Sequence, residues 1–222
     1  MIDFGIEVTS PEAMAELVRR AGLIPLLRNE IEGFSIYDYR PLWFKDVSSE
    51  GPWEWKGPVI QMTGAAYGKL FGAKAGYVTC GWYADLANWR RKGLTMEEAY
   101  SAGTIPRAER DIWQLLDERG EVLSRDLRAM AGLKRQRFDS ILTRLQMRGY
   151  VVITDFEYDV DKQGNAYGWG IARYATPESF LGEEFQMLWN RTSPEESRDM
   201  LQAHLREILP DVPDRQIARI IG

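Results

Sequence analysis

Apolar positions fall into two regimes along the 222-residue chain. From residue 105 onward they recur every three or four residues, in blocks closed by glycine. Pro106 opens a helix in which Ala108, Ile112, Leu115 and Leu116 share a stripe, and Gly120 ends it. Val122-Leu123 suits a short strand. Ser124 is placed to cap a second helix that carries Leu127 and Met130 and closes at Gly132. A third helix, over about 134–148, buries Phe138, Ile141, Leu142 and Leu145 and stops at Gly149. Two strand-like runs, 150–158 and 167–174, flank the turn sequence Asp161-Lys162-Gln163-Gly164-Asn165. Helix, short strand, helix, helix and hairpin is the order of a winged helix-turn-helix.

Before residue 105 the pattern is less regular. Ser10 and Pro11 start a helix whose Ala13, Leu17 and Val18 share a face until Gly22. Leu23-Ile24-Pro25-Leu26-Leu27 is an apolar run broken by proline. Residues 40–93 hold Trp43, Trp53, Trp55, Trp82 and Trp89, five of the eight tryptophans, among glycines and prolines. That spacing predicts short strands and tight turns. Thr95 and Glu98 form a capping box, as do Ser193 and Glu196 later. The predicted class is α+β: a tryptophan-rich domain over 1–104, for which a winged-helix-like shape is also open, a winged helix-turn-helix over 105–176, and a helical tail over 177–222.

Composition narrows the function. No apolar run is long enough to span a membrane. The absence of a secretion signal and the single cysteine, Cys80, point to the cytoplasm. One cysteine and one histidine, His204, provide no zinc site, so neither a metal nor a cofactor is expected. Gly64-Ala65-Ala66-Tyr67-Gly68-Lys69-Leu70 is one residue short of a phosphate loop and lacks its hydroxyl. Glycines in this region instead suit close passage of backbone past bulky rings.

Charge is distributed unevenly. The whole chain carries −5, but over 124–148 seven basic residues face two acidic ones, a local +5. On the third helix the expected exposed face holds Gln136, Ser140 and Thr143, with Lys134, Arg135, Arg137, Arg144 and Arg148 beside it. Inserted in a major groove, the polar residues would read base edges and the cations would take phosphates of double-stranded DNA. The hairpin is acidic, through Asp155, Glu157, Asp159 and Asp161, so it repels phosphate and favours a protein partner for the winged helix instead. In Gly51-Pro52-Trp53-Glu54-Trp55-Lys56-Gly57 an extended chain puts Trp53 and Trp55 on one face. The indoles would stack a base, with Glu54 as the catalytic candidate; the alternative is a tryptophan core with Glu54 paired to a lysine.

Three stretches resemble the AlkZ/YcaQ-type winged-helix DNA glycosylase family, in particular its shorter AlkZ-related members. Gly72-Ala73-Lys74-Ala75-Gly76-Tyr77-Val78-Thr79, with Trp82-Tyr83 and Arg90-Arg91, is similar to the family's aromatic, arginine-ended helical segment. Trp53-Glu54-Trp55-Lys56-Gly57 and Arg144-Leu145-Gln146-Met147 resemble the short relatives. Ala172-Arg173-Tyr174-Ala175-Thr176-Pro177-Glu178 resembles the turn that closes the family's winged-helix unit. The resemblance implies tandem winged helices and a DNA-repair context. The family's glutamine-containing catalytic motif has no counterpart in Gly22-Leu23-Ile24-Pro25-Leu26-Leu27, so no catalytic residue carries over. The leading reading is non-catalytic DNA binding in repair or regulation. A diverged glycosylase-like hydrolase and a winged-helix protein-interaction module are the alternatives.

Overall fold

The computed structural model describes residues 3–41, 51–163 and 166–222. Trp43 and the Gly164-Asn165 turn tip lie outside the described residues. Helix α1 (Pro11–Ala21) starts as its sequence dictates: the Ser10 hydroxyl accepts from the Ala13 N–H, and Pro11 fills a position that needs no donor. Strand β1 (Leu23–Pro25) follows, then α2 (Lys56–Thr63), the hairpin β2 (Ala66–Phe71) and β3 (Lys74–Val78), α3 (Cys80–Arg91) and the box-capped α4 (Met96–Ser101). The next run is α5 (Arg107–Arg119), β4 (Val122–Leu123), α6 (Ser124–Ala131), α7 (Arg135–Met147), β5 (Val152–Val160) and β6 (Ala166–Ala175). Four helices close the chain: α8 (Pro177–Phe180), α9 (Gly182–Leu188), α10 (Pro194–Ile208) and α11 (Asp214–Ile221).

The fold is mixed α and β around one six-stranded antiparallel sheet in the order β1-β3-β2-β5-β6-β4. β1 tolerates Pro25 because it is an edge strand. β2 meets β5 through Tyr67 opposite Ile153, and β4 is held on β6 by Val122 opposite Tyr174. The sheet therefore crosses the position near 104 where the sequence changes character. The tail does the same: Leu201, Leu205 and Ile220 share one core with Leu23, Ala66 and Val152. A second core lies between the sheet and α1 and α2, and a third among α4, α5, α6 and α7.

Some local expectations fail for identifiable reasons. Residues 80–91 form the twelve-residue helix α3, not strands and turns. Tyr83, Ala84, Leu86 and Ala87 recur at helical spacing and are buried against α9 and α10, which outweighs the modest helix propensity of the aromatics. Ser124 does not cap α6; Leu123 holds that position, and the hydroxyl makes no capping bond. Met130 is exposed, so α6 buries Leu127 alone. Of Gly72, Gly76 and Gly81, expected to pass close to bulky rings, Gly76 alone does so, and a Cβ on Gly72 or Gly81 would meet nothing within 4 Å. A Cβ on Gly76 would stand 2.5 Å from the Ile24 carbonyl and 2.6 Å from the Phe71 ring. Gly149, at φ +81, brings the end of α7 against Ala87, where a Cβ would lie 3.2 Å from its Cα. No helix of the described residues is long and apolar enough to cross a membrane.

Candidate functional site

Helix α7 presents two different surfaces. Its N-terminal half stands in solvent: Lys134, Arg135, Gln136, Arg137 and Ser140 are all exposed. Lys134 and Arg137 have no acidic partner among the described residues, and Arg135 reaches Asp139 only at 3.7 Å. No side chain caps the first turn, so its backbone N–H groups face outward.

The C-terminal half is engaged by the protein. Thr143, expected on the free face, is half-buried and receives a hydrogen bond of 3.0 Å from Lys69 Nζ. Beside it, the buried Gln146 accepts from the Lys69 N–H at 2.9 Å and seats α7 on β2. Arg144 and Arg148 both turn toward Glu109 of α5, with N···O distances of 2.6 and 3.6 Å. The Glu109 side chain is 1% exposed, whereas Arg144 and Arg148 are 46% and 36% exposed. These two arginines therefore neutralise a buried carboxylate while keeping part of each guanidinium in solvent. Arg148 also donates to the Thr104 carbonyl and Arg144 to the Ser140 hydroxyl. Glu109 was detectable in principle, because it falls on the same helical stripe as Ile112 and Leu116, where an acid needs a partner.

Charge on the hairpin is partly compensated. Arg125 and Arg173 reach Glu157 at 3.2 and 3.1 Å. Arg125 is thereby withdrawn from the basic patch, and the acidic strand is less repulsive than its composition suggests.

The tryptophan segment is a correction. Residues 51–55 form turns ahead of α2 and are not extended, so Trp53 and Trp55 do not alternate on one open face. Trp55 is 6% exposed and packs with Val59, Ile60, Tyr67 and Tyr77; it belongs to the core and offers no stacking surface. Trp53 is partly buried against the same core. Glu54 is exposed and forms no ion pair with a lysine among the described residues.

The buried polar group here is Lys56, which no sequence signal marked. It is 1% exposed, its Nζ donates to the Trp53 carbonyl and Tyr158 hydroxyl at 2.8 and 2.9 Å, and it lies 4.4 Å from the centroids of both Trp53 and Phe156. Burial pushes its pKa down to about 8, against a smaller upward pull from Glu54. In the unfolded chain the amine binds its proton up to about pH 10.5. Between these values the unfolded state holds more protons, so the wild type gains stability as pH rises and loses it as pH falls toward 8. Thermal melts of wild type and Lys56→Met from about pH 8 to pH 10 are expected to diverge, the wild type rising relative to the variant. Parallel curves would place the ammonium in solvent.

A model of the family described as AlkZ related matches residues 8–222. No curated protein matches the chain. Among solved structures, the Streptomyces sahachiroi DNA glycosylase AlkZ is similar, at 12% sequence identity, a TM-score of 0.48 and 94% coverage of this chain. The chain spans 58% of that structure's chain, less than two thirds of its length.

Proposed function

The chain belongs to the AlkZ-related family, and from that membership we propose that it binds duplex DNA in a repair context, through a winged-helix unit over residues 105–176. The observation that carries this reading is the exposed basic start of α7. Lys134 and Arg137 stand without acidic partners among the described residues, and the uncapped first turn adds the positive end of the helix dipole, an arrangement suited to phosphate. Gln136 and Ser140 are exposed alongside and suit base edges. Arg144 and Arg148 are bound to Glu109 and play a lesser part on this face.

Titration of a labelled duplex at several salt concentrations tests the reading. Lys134→Ala with Arg137→Ala should weaken binding and reduce the slope of log affinity against log salt by about two. Gln136→Ala should change preference among sequences with little change in slope. No duplex binding by the wild type at low salt would refute the proposal and favour the protein-docking reading of the winged helix.

Family membership equally favours a second reading, in which the bound DNA also loses a damaged base. The exposure of Glu54 argues against it as the group for that step, because an exposed carboxylate lacks the enclosed setting that tunes a catalytic acid or base. Time-dependent abasic sites in alkylated duplex, unaffected by Glu54→Gln, are the result this reading expects. Duplex left intact by an amount of protein that binds it fully would leave binding alone.

A further inference from the structure

The last turns of α3, α7 and α11 enclose a cleft of about 380 Å³ beside the β2–β3 turn. Trp89 and Met147 give it apolar walls, and five cations line it: Arg90, Lys92, Arg144, Arg148 and Arg219. Cations at helix C-termini answer the partial negative charge of the carbonyls there, but here they exceed that need. Glu109 serves Arg144 and Arg148, and Glu30 lies 3.5 Å from Arg219. Arg90 and Lys92 have no carboxylate partner among the described residues. Arg90 donates to the carbonyls of Ile221, Leu70 and Ile220 at 2.8, 2.8 and 3.0 Å, while its Nη1 is buried with no acceptor. Burial lowers Arg90 to a pKa of about 10, which leaves it charged at neutral pH.

Two cations without a carboxylate partner among the described residues, beside the part-exposed Arg148, suit an anion in the cleft. Inorganic phosphate would leave the Trp89 and Met147 walls unused. We propose that the cleft holds one nucleotide unit, its phosphate between Lys92 and Arg148 with Arg90 behind, and its planar base against Trp89 and Met147. The cavity is within the usual range for small-ligand sites, roughly 300–1,000 Å³. The same chemistry is offered by a free mononucleotide and by an unpaired nucleotide in a strand. Arg144 and Arg148 are shared with the duplex face, where they play the lesser part, but Arg90, Lys92, Trp89 and Met147 are not, so variants at Lys92 and Trp89 test the cleft separately from the function proposed above.

Calorimetric titration of the full chain with thymidine 5′-monophosphate, thymidine, inorganic phosphate and a short oligothymidylate decides the matter. The monophosphate or the oligonucleotide should bind, with thymidine and phosphate each at least about tenfold weaker, since each lacks half of the contacts. Lys92→Ala should weaken the binding by about tenfold, the usual loss for a charge-assisted hydrogen bond. Trp89→Phe should weaken it less, and a melt of each variant checks folding. A preference for the oligonucleotide over the monophosphate assigns the cleft to a strand, and the reverse assigns it to a free nucleotide. Lys134→Ala with Arg137→Ala should leave monophosphate binding unchanged. Absence of binding by either nucleotide form, equal binding of inorganic phosphate, or indifference to Lys92→Ala would overturn the proposal.

Discussion

Replacing Arg91 with alanine is expected to destabilise the fold by about 3–5 kcal/mol, the usual loss when one partner of a buried charged network is removed. The Arg91 side chain is 1% exposed and joins three parts of the chain. Its Nε and Nη2 donate to the Gly149 carbonyl at 3.1 and 2.6 Å, and its Nη1 pairs with Glu178. The guanidinium also lies against Tyr150, Phe185 and Trp189, with ring centroids 4.6, 5.4 and 5.0 Å away. Alanine would leave Gly149 with the Tyr83 hydroxyl as its remaining side-chain donor, and would open a cavity between α3 and α9. Lysine keeps the charge but not the fork, so Arg91→Lys should still lose a substantial part of the stability. Chemical denaturation measures both. A loss below about 1 kcal/mol for alanine would mean that the network adds nothing beyond a surface ion pair.

Trp55→Ala should carry a similar penalty, about 3–5 kcal/mol, because it empties a large aromatic site that the surrounding helix and sheet cannot fill. Trp55 stands just ahead of α2, against Ile60, Tyr67 and Tyr77, and its loss separates α2 from the sheet. The same variant should leave DNA affinity unchanged once the fraction folded is taken into account. An unaltered melting temperature with reduced affinity would return Trp55 to the surface and revive the base-stacking reading.

Much of the architecture was legible because local signals agreed with one another. Capping boxes at Thr95 and Ser193, Pro11 at a helix start, and the stripe of Phe138, Ile141, Leu142 and Leu145 each specify an element without reference to distant residues. The candidate site was less legible, because its pairings join residues far apart in the chain. Arg144 counts as a free cation until Glu109, 35 residues earlier, is brought beneath it. Thr143 is free until Lys69 arrives from β2, and Lys56 has no visible role until Tyr158 closes over it, 102 residues later. Trp55 failed for a different reason: alternation implies a shared face only in an extended segment, and a turn at 51–55 removes that premise.

The placement of the last helices has a consequence for how the chain matures as it is made. Leu23 and Ala66 emerge early, yet the core that covers them includes Leu201, Leu205, Ile217 and Ile220. During synthesis α3 and α9 can cover part of that core, but it is completed only when α10 and α11 have left the ribosome. Completion of this core is thus a late, long-range docking step, and chains stalled before α10 present a sticky apolar surface to chaperones and proteases.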